Sequence, residues 1–509
     1  MPFFDFHVHP ALKPQFNKVE NRDSPWTVLE SHFGAMAIID SQSSFTQLVE
    51  GGFNLIGLAL HVPEANMAIG LTGALADIEK FKGVFKCLQP AAYAFIHAKA
   101  DTAGRLPDLQ KTARYFTTFK EELDNINTHL VHENKQVKIL TKASDYKEDD
   151  ANTVHCFLIV EGIHCFYGPA AITTEEGWNS FRENLDSFIN NYTLLSINLA
   201  HLQFNHAINH CFGVKIFKDK DFYPIGDGIM PQMKDKVFGL IDYLKGRGIL
   251  IDVKHMSYKA RKQYYAYNNH EMPIISTHVG VAGCSAKDSI QYLLRRPRHV
   301  EENIWLVERL KKLGHLAETA FNLSSVNLYD EDIRAILQSG GLIGISFDRR
   351  IIGYTEYNRD MNPGDPVLDE EYMTGEELAE MFGNHPHYPY SNDDVLDKET
   401  ISINGLQNTV QLDIRFFFNQ IFHILKAGSA IAEKTIVAKS ICIGSDFDGL
   451  IDSLHCCPSA DKIPTFYSMA KQAYEPLAAE AGIDTDGIED LVDWVFFENG
   501  KRFVMGRLG

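Results

Sequence analysis

Two histidines one residue apart, His7 and His9, close the first apolar run of the chain, Phe3-Phe4-Asp5-Phe6. In a strand alternate side chains share a face, so both imidazoles project to one side, the geometry that two ligands of a single metal ion need. Similar side chains end later apolar runs. Glu161 follows Phe157-Leu158-Ile159-Val160, His201 follows Leu194 to Ala200, and His255 follows Ile249 to Lys254. His278 follows Pro273 to Thr277, and Asp446 follows Ile441 to Ser445. Imidazole nitrogens and carboxylate oxygens are donors that divalent metal ions take. Singly, each residue has a plainer explanation: a strand-end histidine is commonly just hydrogen-bonded, Glu161 before Gly162 suits a turn, and Asp446 or Asp448 suits a helix cap. Jointly, seven such side chains at six strand ends point to a metal site. The two oxygens of Glu161 allow it to bridge two ions, with His255 and His278 on the second. Asp446 could ligate the first and take a proton.

The elements that must position these residues are eight β-rich runs, near residues 3–8, 54–60, 157–160, 193–199, 249–254, 273–277, 342–347 and 440–444. Most are continuously apolar, as parallel strands covered on both faces should be, and helical patterns such as Gly239 to Lys245 lie between them. Eight strands alternating with helices predict an α/β fold, a (β/α)8 TIM-type barrel with long loop insertions, whose strand ends face one mouth. An open doubly wound sheet is disfavoured, because no Gly-x-Gly-x-x-Gly turn follows the first strand and the polar residues end many strands rather than flanking one crevice. Residues 61–156, 279–326 and 348–435 exceed what a crossover helix needs and read as insertions. With no repeat or linker to mark a boundary, residues 1–509 are expected to form one elaborated barrel domain.

The 509-residue chain is 45% hydrophobic and 23% charged, ordinary values for a globular protein with a large core. Its 48 Lys and Arg against 67 Asp and Glu leave a net charge of −19, which argues against a nucleic-acid partner. No signal-like leader precedes the first strand and no 18-residue apolar stretch occurs, so the expectation is an unexported chain without membrane association. Eight cysteines without C-x-x-C spacing, including adjacent Cys456 and Cys457, suit reduced thiols in a cytoplasmic setting.

The segments Val160-Glu161-Gly162, Leu194 to His201, Gly248 to His255, Pro273 to His278, Asn327 to Ile333, Gly444-Ser445-Asp446-Phe447-Asp448-Gly449 and Glu498 to Phe503 occur in the order found in the renal (membrane) dipeptidase family of metallopeptidases, within the amidohydrolase superfamily. The chain resembles that family along its barrel strands, though not in its insertions. The resemblance implies two zinc ions per chain, one held by His7, His9 and Asp446, the other by His255 and His278, with Glu161 bridging. It further implies hydrolysis of the amide bond of a dipeptide by a metal-bridging hydroxide, with Asp446 relaying the proton and His201 stabilising the oxyanion. Family members are often homodimers, so a homodimer is an open expectation.

Two positions depart from the pattern. The family usually carries His-x-Asp on its first strand, whereas this chain has His9, and the site gains one unit of positive charge. The family's arginine for the substrate carboxylate aligns with Val326, leaving Arg295, Arg296, Arg298, Arg349 and Arg350 as replacement candidates. Lys254 is expected by strand alternation to face away from His255. His206 and His210 have the i,i+4 spacing of a metal pair on a helix, but no Glu completes a His-Glu-x-x-His motif and that reading is disfavoured, and His385 and His387 read as surface residues. No Gly-x-Ser-x-Gly elbow supports a serine hydrolase. The alternatives are another amidohydrolase activity, on a lactone, an N-acyl amino acid or a deaminable base, or a metal-binding barrel without catalysis.

Overall fold

In the computed structural model, eight parallel strands follow one another around a barrel: β1 (Phe3–Val8), β2 (Phe53–Leu60), β3 (Thr153–Val160), β4 (Leu194–Asn198), β5 (Leu250–Asp252), β6 (Ile275–Val279), β7 (Leu342–Ile345) and β8 (Ile441–Ile443). Residues 1–17, 19–30, 40–65, 105, 108, 109, 111–213, 222–354, 368–383 and 409–509 are described. The eight runs expected from sequence are the eight barrel strands. Closure between β8 and β1 comes from a parallel bridge, Val8 to Phe447, and from amide hydrogen bonds of Asp446 to the His7 carbonyl (3.0 Å) and of His9 to the Phe447 carbonyl (2.9 Å).

Phe4, Phe6, Leu55, Phe157, Ile159, Leu195, Leu250, Ile275 and Leu342 fill a buried cluster joined by Phe497, Val504 and Leu508 of the C-terminal segment. The Glu498 to Phe503 motif has a structural role here. The Asn499 side-chain amide donates to the Ala438 and Ile441 carbonyls at 2.9 and 2.8 Å. A Cβ on Gly500 would lie 2.2 Å from the Phe4 ring, so glycine is what permits this close approach.

Outer helices present their apolar residues at helical spacing. In the helix Glu175–Ile189, started by the Thr174 hydroxyl accepting from the Gly177 amide, Trp178, Phe181, Leu185 and Phe188 are buried. The second and third insertions meet in an antiparallel sheet, with Ile304–Leu310 pairing with both Arg298–Glu301 and Leu368–Thr374. Arg309 and Glu371 are ion-paired at 2.7 Å within it, both fully buried. Sequence periodicity did not reveal the pairing of Ile304–Leu310 with Leu368–Thr374, whose partners lie far apart along the chain, as with the 62 residues separating Arg309 from Glu371.

Candidate functional site

The side chains expected to share a mouth do so. Glu161, ending β3, lies among the histidines of four other strand ends. Its Oε1 is 3.0 Å from His255 Nε2, 3.3 Å from His278 Nε2 and 3.7 Å from His7 Nε2. Its Oε2 is 3.3 Å from His9 Nε2 and 3.5 Å from His201 Nε2. Asp446 Oδ1 is 3.5 Å from His9 Nε2. The sets His7, His9, Glu161 and Glu161, His255, His278 each bring their donor atoms within 4.8 Å of one another, so Glu161 is common to both.

One hydroxyl assigns the tautomers of two rings. The Thr277 Oγ1 donates to the buried Asp252 carboxylate, which leaves its lone pairs to accept from His7 Nδ1 (2.9 Å) and His278 Nδ1 (3.1 Å). Both rings then carry hydrogen on Nδ1 and turn an Nε2 lone pair inward. There His7 Nε2 is 2.9 Å from His9 Nε2, and His278 Nε2 is 3.1 Å from His255 Nε2. Such convergent nitrogens take either a shared proton or a metal ion, and nitrogen and carboxylate donors held by outer hydrogen bonds suit zinc. The residues therefore fit the expected metal.

Titration follows the same crowding. Burial, reinforced by neighbouring imidazoles, holds His255 and His278 well below the usual histidine value. Burial also works against charge on His9, but hydrogen bonds to Asp446 and Glu161 outweigh it and push His9 up to about 10. Burial would raise Glu161, yet attraction from His201 and His7 holds it well below the ordinary carboxylate range. Burial raises Asp446.

The backbone is bent to aim these groups. Phe4 and Phe6 point into the barrel core, so strict alternation would send His7 outward; the β1–β2 register shifts between Asp5 and Val8, and the irregularity turns both histidines into the mouth. Asp5 Oδ1 spans the gap, accepting from the amides of His7 (3.1 Å) and Ser445 (2.9 Å). Asp252 does the same at β5, accepting from the Lys254 amide at 2.9 Å and the Thr277 amide at 3.3 Å. Gly162 has φ +99°, the sharp turn expected after Glu161. His255 and Asp446 have φ +68° and +65°, left-handed conformations that cost a non-glycine residue about 1–2 kcal/mol.

Against known proteins, no family model matches the sequence and no curated protein matches it. Solved structures do align over nearly the whole chain. A dipeptidase AC, a metallopeptidase of family M19, is 14% identical with a TM-score of 0.48, covering 100% of this chain and 98% of that one. A metallopeptidase from Rhodobacter sphaeroides, solved with a phosphinate mimic of the dipeptide L-Ala-D-Ala, is 13% identical with a TM-score of 0.45, covering 97% and 99%. The probable dipeptidase PvdM from Pseudomonas aeruginosa is 14% identical with a TM-score of 0.45, covering 100% and 96%.

Sequence reading missed a second layer of polar residues. His61 follows β2 directly, and its Nδ1 donates to the Glu161 carbonyl at 2.9 Å. Glu64 Oε1 accepts from His201 Nδ1 at 2.6 Å and from the Leu202 amide at 3.1 Å. His164 Nε2 donates to the Val62 carbonyl at 2.8 Å. His61 carried the same signal as the other strand ends; beginning the insertion at residue 61 hid it.

One expectation is corrected. Lys254 does not face away: it lines the same cleft as His9, Glu161 and His255, because β5 ends at Asp252 and the left-handed His255 breaks the alternation. His206 and His210 are not on a helix; His206 is exposed, while His210 is buried and bonded through Nε2 to the Phe222 carbonyl at 3.1 Å. Asp448 does not cap a helix: it accepts from the Gln42 and Ser43 amides and pairs with Lys13 at 2.7 Å. His385 and His387 lie outside the described residues. Among the candidate arginines, Arg295 and Arg298 pair with Glu308, Arg349 with Asp452, and Arg350 lines the cleft while paired with Asp348 at 2.6 Å. Among the described residues, no helix is long and apolar enough to cross a membrane.

Proposed function

We propose that the protein is a zinc-dependent hydrolase that cleaves the amide bond of dipeptides. The observation that carries this reading is Glu161, with one oxygen toward the His255 and His278 nitrogens and the other toward His9. On this reading His7, His9 and Asp446 hold one ion, His255 and His278 the other, and Glu161 serves both. Zinc at such donors supplies Lewis acidity, polarising a carbonyl and making water more acidic near neutral pH.

The chain's own groups do the rest. Asp446, partly open to the cleft, accepts the proton of the attacking water and delivers it to the leaving amine. Glu64 fixes the hydrogen of His201 on Nδ1, or, when the ring is charged, stabilises the imidazolium. Attraction from Glu64 and Glu161 outweighs burial and raises the affinity of His201 for a second proton, so its Nε2 can donate to the oxyanion. The choice of a dipeptide is supported by the order of the motifs along the barrel. A reducing, cytoplasmic setting is supported by seven described cysteines that are all free thiols.

The test is hydrolysis by zinc-loaded protein of a dipeptide panel beside a lactone, an N-acyl amino acid and a deaminable base. Dipeptide turnover with about two ions per chain is expected. Turnover of another class alone would move the assignment within the superfamily, and fewer than about one ion per chain after loading would favour a barrel without metal catalysis.

A further inference from the structure

Among the described residues, one lysine and one arginine border the cleft, and their surroundings differ. The guanidinium of Arg350 is taken up by Asp348, with Nε at 2.9 Å and Nη2 at 2.6 Å, and by the Leu450 carbonyl at 3.0 Å. Lys254 is 3% exposed, and its ammonium has one hydrogen-bond partner among the described residues, the Val326 carbonyl at 3.3 Å. No carboxylate oxygen of the described residues lies within the 4.0 Å of an ion pair, and burial weakens the hold of Lys254 on its proton although Asp446, Asp348 and Glu161 attract it from farther off. Asp348 is committed to Arg350, and Asp446 and Glu161 face the histidines. A buried ammonium with two unused donors on a cleft wall is costly unless an anion completes it.

We infer that Lys254 is the binding residue for a free carboxylate on the substrate, adjoining the amide to be cleaved. Lys254 precedes His255 in the chain and both line one cleft, so an anion on the ammonium lies beside the reacting bond. The wall at this point is Val326, whose carbonyl is the ammonium's present partner. A carboxylate arriving there gains a charge-assisted hydrogen bond in a site shielded from water. The inference rests on the hydrolase reading and narrows it: dipeptides with a free C-terminus and N-acyl amino acids carry the required group, whereas lactones and nucleobases do not.

The test compares zinc-loaded wild type, Lys254→Met and Lys254→Arg on a dipeptide and on the same dipeptide with a C-terminal carboxamide. Wild type should favour the carboxylate by about 10- to 100-fold in kcat/KM, mainly through KM, as expected for losing a charged hydrogen bond. Lys254→Met should bring that ratio close to one, and Lys254→Arg should keep part of it. Calorimetric binding of N-acetylalanine against N-acetylalanine methylamide reads the same preference without turnover. If no dipeptide is cleaved but wild type still selects the carboxylate and Lys254→Met does not, the dipeptide reading fails and the Lys254 assignment stands. Wild type without a carboxylate preference, or Lys254→Met retaining it, overturns the assignment. Because wild type is itself informative, a misfolded variant does not block the test.

Discussion

Thr277 offers the sharpest perturbation, because one hydroxyl orients two imidazoles. In Thr277→Val the shape is kept, but the acceptor for His7 Nδ1 (2.9 Å) and His278 Nδ1 (3.1 Å) is lost, as is the donor to Asp252. Each buried hydrogen bond contributes about 0.5–1.5 kcal/mol, so two amount to about 1–3 kcal/mol of ligand orientation. In zinc affinity that is a loss of about 5- to 150-fold, in keeping with the ~10–100-fold found when outer partners of metal ligands are removed. The assay is competition for zinc against a chromophoric chelator at fixed pH, with Thr277→Ser, which retains the hydroxyl, as control. Thr277→Ser should bind zinc nearly as wild type does. Equal affinity in Thr277→Val and wild type would refute the tautomer argument, because both rings would then be held without the hydroxyl.

Other expectations are independent of that network. Glu161→Gln should lower bound zinc from about two ions per chain to one or fewer, by elemental analysis after dialysis, since a neutral amide is a poor bridging ligand. Glu64→Gln should reduce kcat/KM by about 5- to 15-fold, the difference between a charged and a neutral hydrogen bond to His201, and should have no further effect in a His201→Ala background. Burial pushes Glu122 up to about 8, so the folded state holds a proton that the unfolded chain releases near 4.5. Stability of the metal-free protein should therefore fall between about pH 4.5 and 8 at up to ~1.4 kcal/mol per pH unit, and urea titrations of Glu122→Gln should show a flatter pH dependence. Arg261 and Asp332, both buried and joined at 3.0 and 3.1 Å, tie the helix Tyr258–Asn268 to the helix Asp330–Gln338. Arg261→Met should cost about 3–5 kcal/mol in urea unfolding, because Asp332 is left buried without its cation.

The amino-acid sequence by itself determined the eight strands and the residues at their ends. Burial on both faces demands continuous apolar runs, and the donors that follow them are visible as abrupt changes of chemistry. His7, His9, Glu161, His201, His255, His278 and Asp446 were legible for that reason, and the barrel topology brings their strand ends to one mouth. What the tertiary structure decided lies where local period stops being informative. The β1 irregularity reverses the face of His7, and the left-handed His255 turns Lys254 toward the cleft. Thr277 becomes the hub of two tautomers only because β1 and β6 bring His7 and His278 to the same hydroxyl from positions 271 residues apart along the chain. Glu64 meets His201 across 137 residues, and Arg309 of one insertion meets Glu371 of the next across 62. Spacing in a sequence reports neighbours along one element; hydrogen bonds between elements depend on where the backbone bends, and that is set by the packing of the whole barrel.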